Sequence, residues 1–105
     1  MKKGIKKFLN FSNMLADEAR LISLKYFKKK MKLKNKKKSG FDPVTVADIK
    51  IQKKLNLFIL KYFPDHSIIG EEETHSKNST YEWCIDPIDG TKSFIQGMPL
   101  WGTLI

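Results

Sequence analysis

Two aspartates three residues apart, Asp86 and Asp89, flank Pro87 and Ile88 and run into Gly90-Thr91. Proline inside such a stretch disfavours a regular helix or a central strand, so the segment reads as a rigid turn closing the apolar run Tyr81–Ile85. A turn of that kind can aim both carboxylates and the intervening Ile88 carbonyl at one point. Oxygen-only donors suit a hard cation such as Mg²⁺. Gly90-Thr91 then permits a tight turn into a short helix, whose first N–H groups attract an anion. A cation site and a phosphate site would therefore be neighbours. Glu71 and Glu72 follow a second apolar run, Ser67-Ile68-Ile69-Gly70, and can supply carboxylates from across a sheet.

A plain β-turn also selects Asp, Pro and Gly. Three features favour chemistry over a bare turn: the stretch follows an apolar strand, two acids end the preceding strand, and Thr45-x-x-Asp48 opens a helix nearby. Asp48 has a structural role available as well, closing a capping box and complementing the helix dipole. The two roles are compatible.

The elements that must hold these residues are legible from periodicity. Ile5, Phe8, Leu9, Ser12, Leu15, Ala19, Ile22 and Tyr26 recur at three- and four-residue steps, the stripe of a long amphipathic helix. Met31–Phe41 is Lys-rich, ends near Ser39-Gly40 and reads as a short exposed strand or hairpin. Ile51, Leu55, Phe58, Ile59 and Tyr62 form the stripe of a second helix, capped by Thr45 and ended by Pro64. Thr74–Thr80 reads as a loop, and Leu100–Ile105 as an apolar strand. Cys84 reads as packing on a buried strand, Trp101 as core, and His66 and His75 as too isolated to share a metal.

Composition bounds what this chemistry can serve. The 105 residues hold one domain at most, and the single Cys84 precludes an intrachain disulfide. The basic start lacks the apolar run of a signal peptide, and no stretch has the roughly 20 apolar residues of a membrane span. A cytoplasmic protein is expected. Residues 1–40 carry 14 Lys and Arg against 2 acids, whereas residues 41–105 carry 6 Lys against 9 acids. A basic front half raises the alternative of a nucleic-acid-binding module. Only Arg20 among those cations can make bidentate contacts, and the nearby aromatics sit at core spacing, so specific nucleic-acid binding is not expected.

Gly70-Glu71-Glu72 followed by Trp83-Cys84-Ile85-Asp86-Pro87-Ile88-Asp89-Gly90-Thr91 resembles the first signature of the inositol monophosphatase-like family of Mg²⁺-dependent phosphatases. Asp42–Asp48 is similar to the segment that precedes it in that family. Lys92–Ile105 resembles the histidinol-phosphatase branch. The resemblance implies an α/β fold, an α+β layered sandwich of the sugar-phosphatase type, of which residues 1–105 form the N-terminal portion: two helices followed by strands of a mixed sheet. It implies phosphomonoester hydrolysis, of histidinol phosphate in the first instance, with inositol monophosphatase or 3′-nucleotidase activity as alternatives. Two or three Mg²⁺ would be held by Glu71, Asp86, Asp89 and the Ile88 carbonyl. Gly90 and Thr91 would bind the substrate phosphate, and Thr91 with Asp48 would orient and deprotonate the attacking water; Glu71, as a ligand, counts among the catalytic residues. Glu72, acting through water, and Lys37, approaching the metal–phosphate cluster, are further candidates. The expected partner is a small phosphorylated substrate, with no membrane, and the family pattern admits a homodimer of a full-length protein. A later aspartate ligand that the resemblance calls for has no counterpart here, so a truncated, inactive chain is a further alternative.

If the basic region is a solvated face, any DNA binding is indifferent to sequence and collapses as salt rises to about 150 mM, because lysine clusters bind phosphates mainly by releasing counterions. Titration of labelled duplexes at low and physiological salt checks this; tight binding to one preferred sequence at the higher salt would contradict it.

Overall fold

A computed structural model describes residues 2–29, 33–35, 43–99 and 101–105. Lys37 and Asp42, and the turn expected near Ser39-Gly40, lie outside the described residues. The elements run α1 (Lys2–Tyr26), β1 (Leu33–Asn35), β2 (Pro43–Thr45), α2 (Val46–Tyr62), β3 (Ser67–Gly70), β4 (Glu82–Asp89), α3 (Thr91–Ile95) and β5 (Gly102–Leu104). β1 and β2 pair antiparallel, Leu33 opposite Thr45, which supplies the short strand expected of the Lys-rich segment. β3, β4 and β5 form a separate mixed sheet in that order, β3 parallel and β5 antiparallel to β4.

The two long helices pack together over one face of this sheet. Ile68, Trp83, Ile85 and Ile88 from the strands meet Leu15 and Ala19 of α1, Ala47, Ile51, Leu55 and Ile59 of α2, and Phe94 of α3 in one core. The opposite sheet face carries Ile69, Cys84 and Leu104, all exposed. Period-two alternation puts Trp83 and Ile85 inside and Cys84 outside, which corrects the expectation of a buried Cys84. The sheet is covered on the helical side alone among the described residues.

α1 departs from its expected stripe at one end. Ile5 and Leu9 are exposed, and Phe8, Phe11, Leu15, Ala19, Ile22 and Ser23 carry the contact face. Leu9 is six residues from Leu15, about 240° round the helix, and so points away from the core. Ser23 is buried in that face because its hydroxyl donates to the Arg20 carbonyl at 3.2 Å. Near the other end of the sheet Phe8, Phe11, Phe63, His66 and Trp83 form a ring cluster, in which the Trp83 indole donates to His66 Nδ1 at 3.1 Å. His66 is thereby a structural residue. Trp101 packs edge-on against Phe94, with ring centroids 4.8 Å apart, as a core residue should. Lys50 Nζ donates to the Tyr26 hydroxyl at 2.7 Å, tying α2 to the last turn of α1 and holding that phenol below its ordinary pKa.

α2 follows its stripe closely, Ile51, Leu55 and Ile59 being fully buried and Phe58 partly so, while Tyr62 is exposed. The same helix buries Gln52 and Asn56. No described helix is long and apolar enough to cross a membrane.

The largest correction concerns Pro87. Asp86–Asp89 is not a free turn but the last part of β4. β3 reaches only Ile85, so beyond it β4 has β5 alone as a neighbour, and there the register shifts between Asp86 and Asp89. A proline is tolerated where a strand has become an edge and the ladder is already broken by a bulge. The bulge also ends the alternation: Pro87 and Ile88 are both buried. Thr103 Oγ1 donates to the Pro87 carbonyl at 2.7 Å and closes the gap.

Two leucine-sized side chains of α2 separate core packing from propensity. Ile51→Ala, at a fully buried position, should cost about 2–5 kcal/mol in urea unfolding, whereas Leu57→Ala, at a position 67% exposed, should change stability by no more than about 0.5 kcal/mol. Equal losses at the two positions would show that the helix faces are assigned wrongly.

Candidate active site

The N-terminus of α2 and the C-terminal end of β4 meet at one buried carboxylate. Thr45 has an extended backbone and caps α2, and its hydroxyl accepts from the Asp48 N–H at 3.3 Å. In return the Thr45 N–H donates to Asp48 Oδ2 at 2.8 Å, and the Thr45 hydroxyl donates to the same oxygen. This is the reciprocal capping box the spacing predicts. It engages only one carboxylate oxygen. The other, Oδ1, lies 3.2 Å from Thr91 Oγ1, 43 residues along the chain. Asp48 is 1% exposed, so its position is fixed from both sides.

Thr91 opens α3, a helix of five residues. It can do so because Gly90 before it adopts φ 87°, ψ 43°, a left-handed conformation that a side chain would strain. The Thr91 hydroxyl also sits 2.9 Å from the Ile88 carbonyl. With one proton and two acceptors within reach, Thr91 can donate to Asp48 or to Ile88, and its lone pairs remain able to accept. The Thr91 hydroxyl thus stands within hydrogen-bonding distance of both Asp48 and the Ile88 carbonyl.

The acids divide between two clefts. Glu71 and Asp86 line one of about 290 Å³ together with Ile69, Gly70, Cys84, Ile85 and Leu104. The Glu71 N–H donates to the Ile85 carbonyl at 2.9 Å, which locks its backbone beside β4. Asp89, the exposed last residue of β4, pairs in register with Gly102. Glu72 faces elsewhere, into a cleft of about 320 Å³ lined by Ile49, Gln52, Lys53 and Glu73.

Every candidate donor for a cation here is oxygen: the Glu71, Asp86 and Asp89 carboxylates and the Ile88 carbonyl. That set fits a hard divalent ion. Among the described residues no three acids, histidines or cysteines stand together as a finished cage. The fit is one of donor chemistry, with two of the carboxylates already sharing a cleft. Sequence reasoning missed the Thr103 contact to Pro87, for which a lone threonine in a short strand gives no signal. It also missed Gln52 and Asn56, whose signal was present as two polar residues one turn apart beside an apolar stripe.

Residues 5–105 match the inositol monophosphatase family. The chain is 40% identical over 102 residues to the chloroplastic bifunctional phosphatase IMPL2 of Arabidopsis thaliana, covering 94% of this chain and 29% of that protein. It is 40% identical over 92 residues to the histidinol-phosphatase of Chlorobaculum parvum, covering 87% and 35% respectively. Among solved structures, the IMPase of Thermotoga maritima superposes with a TM-score of 0.81 at 34% identity, over 92% of this chain and 37% of that one. The chain therefore spans about a third of the length of these relatives. Sequence match and fold agree over nearly all of its residues, and the chain belongs to the inositol monophosphatase family.

Proposed function

We propose that this chain is the N-terminal portion of a Mg²⁺-dependent phosphomonoesterase whose substrate is histidinol phosphate. One observation carries the catalytic part: the buried Asp48 carboxylate, held by Thr45 on one oxygen, meets the Thr91 hydroxyl on the other. The substrate rests on the similarity of Lys92–Ile105 to the histidinol-phosphatase branch and is supported by the relative of that name. Inositol monophosphatase activity is the second reading, favoured by the likeness to the Thermotoga maritima enzyme.

In this reading Glu71, Asp86, Asp89 and the Ile88 carbonyl hold the cation. When bound, Mg²⁺ neutralises charge on the phosphoryl and leaving oxygens. The chain's own residues do the rest. The Gly90 turn presents the N–H groups of the first turn of α3, which have no intrahelical acceptor, to the substrate phosphate. Thr91 Oγ1 accepts a proton from the attacking water as it passes its own to Asp48 Oδ1. The two Thr45 donors on Oδ2 keep Asp48 from rotating out of line. The water oxygen bonds to phosphorus as the phosphorus–ester oxygen bond breaks on the opposite side, and the departing alkoxide takes a proton from solvent to leave as the alcohol.

The full-length protein should release phosphate from histidinol phosphate faster than from inositol phosphate, and lose this activity on chelation with recovery on adding Mg²⁺. Turnover unaffected by exhaustive chelation would overturn the reading. Within that assay Asp86→Asn should lower kcat by far more than about tenfold, since it removes a ligand charge at constant volume. Thr91→Val should lower kcat by roughly 100-fold or more, the scale of a lost proton-transfer group, while Thr91→Ser keeps most of the activity. Equal rates for the Val and Ser variants would remove the hydroxyl from the mechanism.

A further inference from the structure

α2 places two amide side chains where an apolar stripe would continue. Gln52 is fully buried and Asn56 is 3% exposed. Gln52 Nε2 donates to Asn56 Oδ1 at 2.8 Å, one helical turn away. Each amide then reaches across to the segment that follows β3. Gln52 Oε1 lies 3.5 Å from the Glu72 N–H, and Asn56 Nδ2 donates to Glu73 Oε2 at 3.2 Å. Between these contacts Gly70 sits against the Gln52 amide so closely that a Cβ there would overlap both of its terminal atoms and the Glu73 carbonyl. The glycine is required by this close approach.

Buried amides are costly unless each polar atom is satisfied, and leucines at these positions would fill the same space. The pair is explained by what it holds. Glu71 is the residue between its contact points. On the strand side the Glu71 N–H is bound to Ile85, and on the helix side its neighbours Gly70 and Glu72 rest on Gln52. We propose that Gln52 and Asn56 are positioning residues that set the backbone of Gly70–Glu73 and so aim the Glu71 carboxylate into the cleft it shares with Asp86. The role rests on the reading of Glu71 as a cation ligand. In this role the amides act through the backbone they hold, not on the cation or the substrate. Partners of this kind, one shell removed from a metal, typically alter metal affinity about 10–100-fold when lost.

The test compares the full-length protein with Gln52→Met, which keeps length and loses both polar atoms, and with Glu73→Ala, which removes the exposed end of the network without touching the core. Mn²⁺ binding, followed by loss of the free-ion electron paramagnetic resonance signal, is measured beside the Mg²⁺ dependence of kcat. Gln52→Met should weaken Mn²⁺ binding about tenfold and raise the half-saturating Mg²⁺ by a similar factor, with kcat at saturating Mg²⁺ within about twofold of the parent. Glu73→Ala should show the same pattern at about threefold. A merely structural role would lower the unfolding midpoint and leave the affinity of the folded protein unchanged. If both variants bind Mn²⁺ as the parent does, the positioning role is wrong even though the phosphatase reading stands. If the parent binds the metal but hydrolyses no phosphomonoester, the phosphatase reading fails while the binding data still decide the role of the amides. Should Gln52→Met fail to fold, Glu73→Ala alone carries the decision.

Discussion

The architecture around the site depends on a single buried carboxylate with two oxygens and two employers. Asp48 Oδ2 closes the N-terminus of α2 through Thr45, and Oδ1 meets Thr91 at the start of α3. A helix start and a strand end that are 43 residues apart are thereby held in contact. Removing a partner of such a buried group is costly because the remaining polar atoms lose both water and their bond. The capping box alone accounts for one oxygen; the Thr91 contact gives the other a partner outside the helix.

The second constraint is where β3 stops. Since β3 pairs with β4 only as far as Ile85, the next four residues of β4 run beside β5 alone, with a broken ladder that accommodates Pro87. That local irregularity does three things. It lets Asp86 turn toward the cleft of Glu71, it buries Ile88 while leaving its carbonyl near Thr91, and it delivers the chain to the left-handed Gly90. The open sheet face with Ile69, Cys84 and Leu104 borders the same cleft.

Most of this was legible in the sequence where a local rule operated. The Thr45–Asp48 box, the stripe of Ile51, Leu55 and Ile59, the short strand before Glu71 and the helix after Gly90 all follow from spacing. What escaped depended on partners distant in sequence. Pro87 pointed to a turn because proline is a poor strand residue, and only the end of β3 shows why a strand tolerates it here. Cys84 read as buried because an apolar run does not reveal that one sheet face is uncovered. Ile5 and Leu9 matched a helical step but lay on the far side of α1. Gln52 and Asn56 looked like ordinary polar residues until the Gly70 backbone was seen resting on them.

The central claim is that Asp48 and Thr91 act as one unit in moving a proton from the attacking water. A double-mutant cycle on kcat tests it directly, using Asp48→Asn, Thr91→Val and the combined variant of the full-length protein, each shown to be folded. Asn at 48 can still accept from the Thr45 N–H, so the cap is kept while the proton acceptor is lost. If the two form one relay, the combined variant is about as slow as the slower single one, because the second substitution removes something already broken. Multiplicative losses in the combined variant would show two independent contributions, and the contact between the two side chains would then be packing alone.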